Sequence, residues 1–200
     1  MRRTIALLGL LVALGCSPAP TGPAGTSAGP SPTAPTQGDT PASEPAAPPA
    51  SAPGVTLKIL DGAGLDQLIA SHRGKVVVVD AWSTSCEPCL KEFPNLVAMS
   101  QELGPERLAC ISLSLDFDGV GRPADKQAKV LKFLERFGAK FDNVLSSDEA
   151  DAVLKRLEFY APPAVFVYDQ QGKLSHKFGI DGEFTYAEVR KRVDELLAKP

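Results

Sequence analysis

The chain has 200 residues, 44% hydrophobic and 22% charged, with a formal net charge of −3. Its basic residues form no run, so nothing marks a nucleic-acid surface. Of four cysteines, the three beyond Cys16 are too few for a disulfide scaffold, and no internal repeat is visible.

The chain opens with Met1-Arg2-Arg3 and an apolar run from Ile5 to Leu14. A basic start, about ten apolar residues and small residues after them describe an export signal. The run is shorter than the roughly 20 residues that a membrane-spanning helix needs. It ends in "ALGC", which resembles the lipobox of bacterial lipoproteins, although Ala13 stands where that motif usually has Leu. The resemblance implies a signal over residues 1–15 and acylation at Cys16, and a plain secretory signal is the alternative. Residues 16–54 hold eleven prolines and no Lys or Arg. They offer too little apolar surface to offset the entropy of ordering. A disordered, lipid-anchored tether is expected, reaching on the order of 100 Å if extended. Residues 55–200 then form one domain.

Along that domain, Val55 to Leu60 reads as a short strand and Leu65 to Ser71 as a helix entered after "DGAG". Lys75 to Ala81 carries a continuous β-branched run, the pattern of a strand buried on both faces, and Asp80 stands near its end. A helix follows from near Cys86 to Leu103, then a second buried strand from Leu108 to Leu115. Lys126 to Phe137 places Val130, Leu131, Phe133, Leu134 and Phe137 at helical spacing. Phe141 to Leu145 predicts a short strand, and Glu149 to Leu157 a helix with Ser147 as its N-cap. Ala164 to Tyr168 and Lys173 to Phe178 flank "DQQG", a hairpin signal, and Thr185 to Leu197 is a closing amphipathic helix. Strands alternating with helices, then a hairpin and a last helix, argue an α/β domain around a mixed sheet.

Chemistry concentrates in "VVVVDAWSTSCEPCLKEFPNL", Val76 to Leu96. Residues three apart lie on one side of a helix. A cysteine at a helix N-terminus meets unpaired N–H donors and a partial positive charge, which favour its thiolate. Cys86 is therefore the expected nucleophile, and Cys89 the thiol that attacks a mixed disulfide on Cys86. Pro88 suits a first helical turn. Glu87 places a negative charge beside Cys86 that opposes the helix terminus. A metal site would need about four ligands; the chain offers no second CxxC, and His72 and His176 read as isolated surface or turn residues. No metal and no cofactor are expected. Cys110 reads as a small buried hydrophobe.

This segment resembles the active-site region of thioredoxin-fold proteins, and most of all the exported TlpA/ResA family of thiol–disulfide oxidoreductases. The likeness continues through "ISLSLD", "VLKFLERFGAKF" and "YAPPAVFVYDQQGKL". It implies a thioredoxin-like three-layer α/β/α domain around a central mixed sheet. It also implies a cis proline at Pro163, after Pro162, beside which an extended substrate pairs with free backbone. Asp80 falls where thioredoxins keep a buried acid. Burial raises a carboxyl pKa, which suits a base taking the proton of Cys89; a mere strand-end hydrogen bond is the alternative. Glu92 matches the acid of the ResA-type "CEPCxxEFP" motif, where it tunes the thiols, with a solvated helix Glu as the alternative. Trp82 is expected at the substrate surface, and Ser85 replaces the second tryptophan that most relatives carry there.

The resulting expectation is a monomeric, lipid-anchored thiol–disulfide oxidoreductase of the bacterial cell envelope, facing the periplasm if the cell has one. Its partners would be protein disulfides, apocytochrome c among them, and a membrane dithiol that donates electrons. A peroxidase would want a lone cysteine after a Pro-x-x-x-Thr-x-x pattern, which is absent before Cys86. A non-catalytic lipoprotein that binds a partner or copper is the remaining alternative.

Overall fold

The computed structural model describes residues 54–199; the expected signal, Cys16 and most of the tether lie outside the described residues. Val76–Trp82 (β2) is the centre of the molecule. Leu108–Ser114 (β3) pairs with it in parallel, Val79 opposite Ile111, and Ala164–Tyr168 (β5) pairs antiparallel, Val79 opposite Phe166. Flanked on both edges, β2 is also covered on both faces. That explains why its valines run without alternation.

Lys58–Leu60 (β1), Asp142–Ser146 (β4) and Leu174–Phe178 (β6) complete a six-stranded mixed sheet in the order β1-β4-β3-β2-β5-β6. Successive side chains of a strand point to opposite faces. Val76, Val78 and Trp82 accordingly pack with Glu87–Leu103 (α2), Gln127–Phe137 (α3) and Tyr186–Leu197 (α5). Val77, Val79 and Ala81 pack with Gly62–Ser71 (α1) and Ala150–Leu157 (α4). Each buried valine contributes about 1.5–3 kcal/mol. The result is the expected three-layer α/β domain.

Several boundaries differ from the sequence expectation. The central strand runs one residue past the expected Ala81, to Trp82, because β3 keeps pairing that far, Trp82 opposite Ser114. The glycines of "DGAG" lie inside α1, because Asp61 caps it one turn earlier by accepting the Gly64 N–H at 2.7 Å. Ser147 is not the cap of α4. Glu149 holds that position without a side-chain bond, and the first helical N–H, from Ala150, donates instead to the Phe117 carbonyl at 2.9 Å. β1 is only three residues long, because the Asn143 amide takes the Thr56 carbonyl at 3.0 Å before the ladder begins. At the last helix, Thr185 and Glu188 form a reciprocal capping box.

Candidate active site

The parallel strands β2 and β3 end at one pole of the sheet, and the redox residues gather there. Cys86 is the N-cap of α2, and its sulfur accepts the Cys89 backbone N–H at 3.2 Å. This is the donor environment that the spacing predicts. The two cysteines are joined as a disulfide, with their Cα atoms 5.3 Å apart. Cys86 is half-buried, whereas Cys89 is 3% exposed. A partner can therefore reach the first sulfur more easily than the second.

The loop that delivers Cys86 is pinned by a residue the sequence did not single out. Asp116, just beyond β3, accepts the Thr84 backbone N–H at 3.1 Å and the Ser114 hydroxyl at 2.7 Å. The Thr84 hydroxyl also bonds to Asp116. Ser85, in place of the second tryptophan, pairs its hydroxyl with Ser83 at 2.7 Å.

Asp80, on the strand that leads to the CxxC, is 4% exposed on the face covered by α2 and α5. Its partner was also missed: the Tyr186 hydroxyl, from the start of α5, donates to Asp80 Oδ2 at 2.6 Å. Desolvation raises the Asp80 pKa from 3.8 to about 7; the tyrosine bond holds it down and the charge of Glu92 pushes it further up. A carboxyl poised there accepts or releases a proton near neutrality. Glu92, one turn beyond Cys89, is half-buried and accepts the Asn95 side-chain amide at 2.8 Å.

Trp82 is a correction. Its ring is 0% exposed, with centroids 5.1 Å from Phe93 and 4.6 Å from Phe133. It forms the floor under α2 and α3 rather than a surface for substrate, because its strand position points into the aromatic cluster. Pro162-Pro163 is joined by a cis bond. Pro163 precedes Ala164, which pairs with Ala81, so it stands level with Trp82 at the redox pole. Gly179 packs against it so closely that a Cβ there would lie 2.4 Å from the Pro163 carbonyl oxygen, at φ +78°. Only glycine fits both that approach and that backbone angle. Tyr160, three residues before the cis proline, is 89% exposed.

Cys110 is buried, and burial pushes its thiol up to about 12. His72 lies in the turn that ends α1, as expected, but is not isolated there: it bonds Asp142 at 2.9 Å at the opposite pole. The His176 ring lies 4.3 Å from that of Phe178. Among the described residues no group of three or more His, Cys, Asp or Glu could hold a metal.

Residues 48–177 match the family model described as "AhpC/TSA family". The chain is 32% identical over 148 residues to the thiol–disulfide oxidoreductase ResA of Geobacillus thermodenitrificans, covering 72% of this chain and 75% of that one. It is 28% identical over 125 residues to the thiol:disulfide interchange protein HelX of Rhodobacter capsulatus, covering 62% of each. In fold it is similar to the crystal structure of a thiol–disulfide isomerase from Corynebacterium glutamicum, with a TM-score of 0.55 at 19% identity over 66% of this chain and 86% of that one. A dithiol at a helix N-terminus, a buried acid on the strand that leads to it and a cis proline at the same pole thus occur in a chain of matching sequence and fold. The chain belongs to the AhpC/TSA family and, within the thioredoxin superfamily, is a ResA/TlpA-like thiol–disulfide oxidoreductase.

Proposed function

We propose that this oxidoreductase is exported, held to the membrane by a lipid on Cys16, and reduces disulfides of envelope proteins, apocytochrome c thiols being one substrate class. The observation that carries the reading is Cys86, half-buried and capping α2, with Cys89 bonded to it and Asp80 buried on the strand that leads to it. In the reduced protein the Cys86 thiolate attacks a substrate disulfide, forming a mixed disulfide and expelling one substrate thiolate. Cys89 then attacks the Cys86 sulfur while its proton passes to Asp80. The second substrate thiolate leaves, and the protein is left in the Cys86–Cys89 form. Pro162 and Pro163 form the seat of an extended substrate. Glu92 acts on the thiols through its charge and on Asp80 by raising its pKa. Two electrons from a membrane dithiol restore the reduced state. The lipid rests on "ALGC" and on the proline-rich residues between it and the domain.

Insulin reduction by the wild type and by Cys86→Ala tests the chemistry, and activity in the wild type alone is expected. Equal rates, or none in either, would leave a domain that only binds. Fatty-acid labelling that disappears in Cys16→Ala tests the anchor, and an unlabelled wild type would make the chain a plain secreted protein.

A further inference from the structure

Several unpaired cations of the domain gather at one pole. On the loops and helix starts that follow the C-terminal ends of β2, β3, β4 and β6, at the pole of the disulfide, stand Glu87, Glu92, Asp116, Asp118, Glu149 and Glu183, and the cations there, Lys91, Arg122 and Lys126, are paired with Glu87, Asp125 and Asp118. At the other pole stand Arg73, Lys75, Arg107, Lys140 and Lys173, none with a salt-bridge partner among the described residues. Their common location follows from the fold. Lys75 and Arg107 immediately precede β2 and β3, and the Val76 N–H donates to the Arg107 carbonyl at 3.2 Å. Lys140 comes just before β4, and Lys173 sits in the β5–β6 turn, which the Gly74 N–H joins through the Gln170 carbonyl at 2.8 Å. Lys75 and Lys140 line one cleft of about 470 Å³, whose floor includes Val97, Leu108 and Phe141. Three acids stand at this pole, of which exposed Glu106, directly before Arg107, has no salt-bridge partner among the described residues. Asp142 is held by Lys58 at 2.7 Å and His72 at 2.9 Å, and Asp169 accepts the N–H groups of its own turn.

The described chain also enters the domain here. Gly54 lies against the Lys140 side chain, 3.4 Å from the Cβ position of the glycine, and Val55 is buried in the core. The preceding residues therefore join the domain at the basic pole and not at the disulfide. Helix C-termini attract cations, which accounts for basic residues beside α1 and α2, but not for Lys173 on a hairpin turn.

We propose that the basic pole is a docking surface for an anionic lipid bilayer. Lys75, Arg107, Lys140 and their neighbours meet the headgroup phosphates, while the acidic pole is repelled. The seven residues of β2 separate the two poles by about 20 Å at roughly 3.3 Å per residue. That exceeds two Debye lengths at physiological salt, each about 8 Å. The field at the bilayer therefore acts on the basic pole and little on the other, and the docked domain presents its disulfide to the aqueous compartment. The inference goes beyond the proposed lipid anchor and does not depend on it.

The test uses residues 45–200, which lack Cys16 and the signal but contain both hydrophobic clusters and the whole sheet. Cosedimentation is measured with vesicles of phosphatidylcholine alone and with vesicles containing phosphatidylglycerol. Binding is expected to the anionic vesicles only and to fall as salt rises. Each cation removed should weaken partitioning about five-fold, so Lys75→Gln/Lys140→Gln should bind about 25-fold less. Insulin reduction by that variant serves as its folding control. Binding equal on both lipids, binding unchanged in the variant, or none to either vesicle would overturn the proposal. Because Cys16 is absent, such a failure would leave the anchor untouched, and fatty-acid labelling of the full chain would still decide it.

Discussion

Asp80→Asn should make the protein more stable, and by an amount that depends on pH. In the unfolded chain Asp80 ionises near its ordinary 3.8, whereas in the fold, without a cation partner, it holds its proton to about 7. Between these values the unfolded state has released a proton that the native state keeps, so stability falls as pH rises. The contribution is fully present below about 4 and is lost by the time pH passes about 7. At about 1.4 kcal/mol per pKa unit, the loss is on the order of 4 kcal/mol. Asparagine retains the shape and an acceptor for the Tyr186 hydroxyl but does not titrate. Urea denaturation of oxidised wild type and Asp80→Asn should therefore give a gap that is small near pH 4 and opens to several kcal/mol near pH 8, the variant being the more stable. A gap that stays constant between pH 4 and pH 8 would refute the reasoning and leave Asp80 an ordinary hydrogen-bonded acid.

Tyr186→Phe removes the one donor that lowers the Asp80 pKa, so the rise of mixed-disulfide resolution with pH should move to higher pH, and it should be absent in Asp80→Asn. Stopped-flow decay of a Cys86 adduct measures it, and superimposable wild-type and Tyr186→Phe profiles would deny the tyrosine its role. Alkylation of the reduced protein at limiting reagent should label Cys86 first, Cys89 slowly and Cys110 least, since the latter two are buried and the Cys110 thiol is pushed up to about 12; peptide mapping reads the order.

The sequence disclosed what is encoded locally. A β-branched run from Val76 to Val79, two cysteines one turn apart and a hairpin turn at Gly172 are each read from neighbours in the chain, and the domain was assembled from such segments. Trp82 was misplaced because its surroundings are not local. Phe93 follows it in the same segment, but Phe133 comes from a different helix, and only packing shows that the three rings close a core. Tyr186 was missed for a related reason. In an amphipathic helix its ring fits the apolar face, and nothing in that periodicity says that its hydroxyl meets a carboxyl 106 positions away. Asp116 ends "ISLSLD" with no local sign of its role, because its partner Thr84 lies on a different loop.

The same geometry bears on whether Cys86 remains the better nucleophile among so many acids. Glu87 stands directly after it, and an adjacent negative charge opposes a thiolate. Yet Glu87 is exposed and bound to Lys91 at 2.8 Å, a pair that holds the glutamate below its usual range while placing a cation one turn away. Charges on such a surface are screened by water and salt within about 8 Å, so the paired acid exerts little net field on the sulfur. The Cys89 N–H, by contrast, points directly at that sulfur from 3.2 Å. A hydrogen bond to a charged acceptor is worth about 1.5–3 kcal/mol, and it strengthens as the sulfur gains charge. Cys89 lies deeper, at 3% exposure, and in the proposed mechanism its proton passes to Asp80. The asymmetry therefore arises beneath the surface rather than on it: the outer thiol is helped by a fixed dipole, and the inner one depends on a group that can take its proton.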